Sequence, residues 1–188
     1  MKKNQTKEMV GTAMLAAIAY ILLLIAFPVI PAFPFMKVDF SEIAILISTY
    51  VFGPVAGILT ALVRSLLHML TSGEPAAFIG DAASFIAALS FVLPIYYLSK
   101  TKQTTKNLIT SFVTGTVIMT VVMSVLNAVA IIPLYSKIAG FDIGMSVSKY
   151  VLYGVVPFNL VKGTLVSMVF MLIHQKVIPL ISKQKKCK

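Results

Sequence analysis

Val156-Pro157-Phe158-Asn159-Leu160-Val161-Lys162-Gly163 sets a lysine in the middle of the apolar stretch 147–173. That stretch exceeds the roughly 20 residues a helix needs to cross a bilayer. A lysine near the bilayer centre costs about 2.5–3.5 kcal/mol on insertion scales, so its ammonium should face a partner, a cavity or a ligand rather than lipid. Helical geometry puts Asn159, three residues before Lys162, and Phe158, four before it, on neighbouring parts of the same face. The run therefore predicts a membrane helix with one face turned to a polar interior.

The composition agrees. Of 188 residues, 59% are hydrophobic and 12% charged, and mean hydropathy is +0.95, values outside the range of a soluble domain. Six apolar segments are expected at residues 9–27, 41–52, 54–71, 77–98, 107–132 and 147–173, within a single membrane domain spanning residues 1–188. The segments lack period-2 alternation, and backbone groups in hydrocarbon have no water partners, so the fold class is an all-α integral membrane protein with six transmembrane helices. The first segment is long for a signal-peptide core and further spans follow it, so it is read as a retained helix. The second is short and is tilted, partly embedded, or continuous with the third through Gly53-Pro54. A single Cys187 rules out a disulfide within the chain.

Lysines set the orientation under the positive-inside rule. Lys2, Lys3, Lys7, Lys100, Lys102, Lys106, Lys176, Lys183, Lys185, Lys186 and Lys188 share one side. The other side carries Lys37, Lys137 and Lys149 beside Asp39, Glu42, Glu74, Asp81 and Asp142. Both termini are thus expected in the cytoplasm, and the net charge of +10 reflects topology and anionic lipid. No basic stripe alternates with stacking aromatics, so nucleic acid is not an expected partner. Without Trp, the interfaces are expected to hold Tyr50, Tyr96, Tyr97, Tyr135, Tyr150 and Tyr153.

This topology brings Asn127, Asn159 and Lys162 to one half of the bilayer, beneath the Pro-rich connection 28–40. Its prolines and large apolar side chains suit a stiff lid, or a linker embedded at the headgroups. Asn127 suits ligand contact or a hydrogen bond between helices, and Tyr135, eight residues on, shares its face. Arg64 and His68 give the third helix a polar side, where Glu42 or Asp81 is expected to form a structural ion pair with Arg64. His174 falls near the cytoplasmic boundary. In the first helix Ala13 and Ala17 form a small-xxx-small pair, with Gly11, Ala16 and Ala19 nearby, suited to close packing within the chain or against a partner.

Asp39-Phe40-Ser41-Glu42 after the Pro-rich loop, Asn127 with Pro133 and Tyr135, and the run Pro157 to Gly163 resemble the riboflavin-specific S components of energy-coupling factor (ECF) transporters over nearly the whole chain. The resemblance implies a multi-pass subunit of the bacterial plasma membrane. It would capture riboflavin from outside and work with a transmembrane T component and two cytoplasmic ATPase subunits. It also implies a pocket formed by the first loop and the fourth to sixth helices, and docking on the T component through Ala13 and Ala17.

A flavin is a flat apolar ring with hydrogen-bonding groups along one edge, which suits apolar walls with a few placed polar groups. Met36, Phe40, Leu134 and Phe158 are expected as walls. Asn127 or Asn159 would pair with the ring edge, Lys162 would donate to a carbonyl or ribityl oxygen, and Asp39 would accept from ribityl hydroxyls. Riboflavin is then transported ligand, and no cofactor is expected.

No Walker A pattern occurs, so ATP hydrolysis by this chain is not expected. A self-sufficient ion-coupled carrier would need a titratable relay such as Arg64, His68 and Asp81, and an S component for another vitamin is a further alternative. An intramembrane enzyme lacks support, since neither His-Glu-xx-His nor Gly-x-Ser-x-Gly is present.

Overall fold

The computed structural model describes residues 2–31, 33, 36–73, 76–100, 104–140 and 144–186, with side chains left aside for residues 2–4, 139 and 174–186. The roles expected of Lys102, Lys188, Glu74, Asp142 and Cys187 lie outside the described residues. So do those of the side chains of Lys2, Lys3, His174, Lys176, Lys183, Lys185 and Lys186.

The described architecture is helical. It comprises α1 (Lys2–Leu24), α2 (Ser41–Phe52), α3 (Pro54–Thr71), α4 (Ala77–Ser99), α5 (Thr105–Leu126), α6 (Ile132–Ala139), α7 (Val147–Tyr150) and α8 (Val156–Lys186). π-helical turns at Asn127–Ile131 and Val151–Val155 join α5 to α6 and α7 to α8. Five of the resulting rods are long and apolar enough to cross a membrane, and Ser41–Phe52 is a sixth, shorter apolar helix. Their outer faces carry Val10, Leu70, Val129 and Leu172, each more than half exposed, as lipid contact requires.

The short α2 is the centre of the bundle. It packs against α1, α3, α4 and α8, and Ser41 through Leu46 are buried, with Ser48 and Thr49 beyond them. Its separation from α3 is complete. Gly53 adopts φ +101°, a backbone state glycine reaches without steric cost, and Pro54 opens the next helix where its missing N–H is not needed. Gly57 lets α3 fold back closely, since a Cβ there would stand 1.9 Å from the Thr49 hydroxyl.

The described residues of the connection after α1 form local structure of their own. Phe27–Pro28 and Lys37–Val38 pair as a two-residue antiparallel ladder, β1 with β2. Turn bonds run from Phe33 N–H to Ile30 C=O at 2.9 Å and from Met36 N–H to Phe33 C=O at 3.0 Å. Phe33 packs edge-on against Tyr150 with ring centroids 5.3 Å apart, and its ring lies 3.1 Å from where a Cβ on Gly154 would stand. The loop is thereby seated on the start of the last rod, with Val38 and Asp39 drawn inside.

At the other end of α2, an aromatic layer fills the bundle. Tyr50 stacks on Phe170 at 5.7 Å, and Phe170 meets Phe112 at 5.6 Å. Tyr50 also bonds to Ser99. Two tyrosines thus depart from the interfacial positions expected of them. Tyr150 is buried beneath Phe33 and Tyr50 belongs to this internal layer, whereas Tyr97 and Tyr153 stand more than half exposed.

Candidate functional site

Lys162 is buried, and it is the hub of an ionic cluster. Its Nζ lies 3.1 Å from Asp39 Oδ2 and 2.7 Å from Glu42 Oε1. The contact with Asp39 is an aligned hydrogen bond. The contact with Glu42 is close enough for an ion pair but misses hydrogen-bond angles, so neither Glu42 oxygen has a hydrogen-bond partner among the described residues. The last helix is thereby joined to the end of the first loop and to the start of α2. All three groups are nearly or fully removed from solvent, at 6%, 3% and 0% exposure, so the opposite charges at ion-pair distance must offset the cost of burial.

Asp39 is tied down at both oxygens. Its Oδ1 accepts from the Ser41 N–H at 2.9 Å and from the Ser41 hydroxyl. Burial alone would push its carboxyl up. The neighbouring Lys162 and Arg64 charges and the two Ser41 bonds outweigh that and hold it below its ordinary value of 3.8.

Arg64 differs from expectation. Its guanidinium donates to Ser41 Oγ at 2.6 Å, Ser84 Oγ at 2.9 Å and Ser65 Oγ at 3.2 Å. The expected Arg64 ion pair with Glu42 or Asp81 is replaced by two others among the described residues: Glu42 goes to Lys162, and Asp81 Oδ1 pairs with His68 Nδ1 at 2.7 Å. The physical reason is placement. Ser41, Ser65 and Ser84 supply hydroxyls from α2, α3 and α4 around the guanidinium, while Glu42 lies against Lys162 and Asp81 against the His68 ring.

Both asparagines are buried and similarly arranged. Asn127 Nδ2 donates to Met123 C=O and Asn159 Nδ2 to Val155 C=O, each at 2.8 Å within its own rod. Each amide then keeps a second N–H and a carbonyl oxygen for other partners. The π turns lie next to them: one begins at Asn127 and the other ends at Val155, four residues before Asn159, and the two turns touch. π turns of this kind concentrate at functional sites because they re-aim side chains without breaking the helix.

Close packing of the last two rods sets the depth of Lys162. A Cβ on Gly163 would stand 2.6 Å from Thr116 of α5, so glycine permits the approach. Of the expected wall residues, Met36, Phe40 and Phe158 are half-buried, with Met36 and Phe40 packed on the core. Leu134 is 41% exposed, and Ile132 is buried in its stead. Ser41 is the polar residue that sequence reasoning passed over. Its place between Asp39 and Glu42 was the available signal.

On α1, Ala13 and Ala17 are exposed, while Ala16 and Ala19 are buried. Gly11 meets the Phe52 ring. Packing within the chain therefore uses Gly11, Ala16 and Ala19, and leaves the Ala13–Ala17 pair on an open face.

The family described as "ECF transporter, substrate-specific component" matches residues 7–174. The riboflavin transporter RibU of Staphylococcus aureus (strain TCH60) is 39% identical over 176 residues, covering 93% of this chain and 92% of that protein. The riboflavin transporter FmnP of Bacillus subtilis (strain 168) is 36% identical over 185 residues, covering 96% of this chain and 97% of that protein. A solved structure of the S component of a bacterial ECF transporter is similar with a TM-score of 0.80 at 39% identity, over 94% of this chain and 98% of that one.

Proposed function

The chain belongs to the ECF transporter substrate-specific components, multi-pass membrane proteins of transport rather than enzymes, and on that premise we propose that it captures riboflavin from outside the cell. The observation that carries the proposal is the burial of Asp39, Asn127, Asn159 and Lys162, with Asp39 bonded to Lys162 and the π turns beside the two asparagines in contact. Riboflavin has the matching division of character, an apolar ring with one polar edge and a hydroxylated chain.

In this proposal the Asn127 and Asn159 amides pair with the N–H and C=O groups of the ring edge, using the donor and acceptor left over from their main-chain bonds. Phe158, Met36 and Phe40 flank the ring. Lys162 donates one hydrogen bond to Asp39 and lies at ion-pair distance from Glu42, and its ammonium has further protons to offer a ligand oxygen. Asp39, at the end of the loop, receives ribityl hydroxyls. The loop acts as the lid: Phe33 on Tyr150 and Gly154 forms its latch, and Asp39 on Lys162 its inner contact. Both termini face the cytoplasm and the loop faces outside, in keeping with the lysine distribution.

The exposed Ala13–Ala17 face of α1 docks on a T component, which couples the subunit to two cytoplasmic ATPases. Small side chains there allow close helix approach in lipid. The proposal is tested by riboflavin titration of purified, folded Asn127→Ala, Asn159→Ala and Lys162→Ala. Each is expected to weaken affinity by about tenfold or more, the loss of one hydrogen bond in a desolvated site. Unchanged affinity in all three would remove the pocket.

A further inference from the structure

Arg64 is fully buried in the bundle, yet none of its described hydrogen bonds goes to a carboxylate. A guanidinium can only donate. When its NH1 donates to Ser41 Oγ, the single hydroxyl proton of Ser41 is left for an acceptor, and the acceptor in place is Asp39 Oδ1. The Ser41 main-chain N–H reaches that same oxygen. The other carboxylate oxygen, Oδ2, is thereby turned to Lys162. The donations converge on Asp39, from Arg64 of α3 through Ser41 on one side and from Lys162 of α8 on the other, and the cation at each end can only donate. A planar fork is needed, because Ser41, Ser65 and Ser84 lie on three helices and are served together.

We propose that Arg64 is a positioning residue for ligand capture, acting through Ser41 to hold Asp39 against Lys162 and so to keep the first loop closed over the bound molecule. The proposal rests on the riboflavin function above. Arg64 itself touches no ligand. Its effect should appear in how long the ligand stays, since a loosened Asp39 frees the lid.

The test is the riboflavin dissociation rate, measured by stopped-flow fluorescence on detergent-purified chain. The proteins are the unaltered chain, Arg64→Lys, Ser41→Ala, their double variant and Ser84→Ala. Arg64→Lys keeps the charge and loses the fork, Ser41→Ala cuts the link, and Ser84→Ala removes a guanidinium partner that leads nowhere near Asp39. Arg64→Lys and Ser41→Ala are each expected to speed dissociation about tenfold. The double variant should stay within about twofold of the faster single, because both changes break one chain. Ser84→Ala should stay within about twofold of the unaltered chain.

Multiplying losses in the double variant would overturn the proposal, as would an effect of Ser84→Ala equal to that of Ser41→Ala, which would make Arg64 a general helix tie. If Arg64→Lys does not fold, the contrast between the two serine variants decides alone. Failure of the unaltered chain to bind riboflavin would instead remove the function on which the proposal rests.

Discussion

Replacing Lys162 with methionine should be among the most damaging single changes in the chain, and its cost can be worked from the cluster around it. The substitution keeps an unbranched side chain of similar length and removes the ammonium. Asp39 and Glu42, at 3% and 0% exposure, would then face each other without their shared counter-ion. Breaking a buried pair from one side costs about 3–5 kcal/mol, because a charge is left unpaired in a medium that solvates it poorly. Here two carboxylates are stranded, and the remaining cation, Arg64, is committed to hydroxyls. Removing one of the stranded charges as well should return part of the loss, so Lys162→Met with Glu42→Gln should be more stable than the sum of the single changes by about 2 kcal/mol. The chain has no Trp and seven Tyr, so unfolding in mixed micelles is followed by tyrosine fluorescence. A loss below about 1 kcal/mol in Lys162→Met, or a double variant additive within about 0.5 kcal/mol, would refute the ionic account of the site.

Other consequences are open to direct measurement. Leucine at both Ala13 and Ala17 should abolish co-purification with a co-expressed T component and ATPases while sparing riboflavin binding, since both positions are exposed; loss of binding as well would point to internal packing. Gly163→Ala should lower stability by about 1–3 kcal/mol through overpacking, because its Cβ would stand 2.6 Å from Thr116 Cγ2 and Oγ1. Adding Thr116→Ala, which removes those two atoms, should recover most of that loss in thermal unfolding. The pH dependence follows from Asp39, whose carboxyl is held below 3.8 in the folded chain. A lowered folded value means that the unfolded state takes up the proton first as pH falls. The contribution of Asp39 to stability is therefore present above pH 3.8 and lost as pH drops through its lower folded value. Unfolding measured from pH 7 downward should show no Asp39-dependent loss until about pH 4, and Asp39→Asn should flatten the acid limb.

Much of the architecture was legible because hydrocarbon imposes a simple rule: apolar runs long enough to span must close their own hydrogen bonds as helices. The site was partly legible for a related reason. An intramembrane lysine needs a partner, and Asp39, Asn127, Asn159 and Lys162 all prove to be buried. Which cation takes which carboxylate was not legible. Composition supplies the charges, but small rotations of α2 and α3 decide whether Glu42 meets Arg64 or Lys162, and those rotations are set by packing such as Gly57 against Thr49.

The π turns were invisible for a different reason. Each adds about one residue to a helical turn and rotates everything after it by about 100° relative to a regular helix. Leu134, seven residues past Asn127, would share its face on an unbroken helix, but beyond the turn at Asn127–Ile131 it is exposed and Ile132 is buried. The exposed face of α1 was ambiguous until Ala16 and Ala19 were seen to be the buried pair, since small residues on one helix serve internal and external packing alike.

The most direct test of the central claim is a fluorescence titration of riboflavin into the purified chain alone, in detergent and without any ECF partner. Saturable quenching with a one-to-one endpoint is the predicted result. Absence of any titration by protein that is demonstrably folded and free of bound flavin would contradict the account.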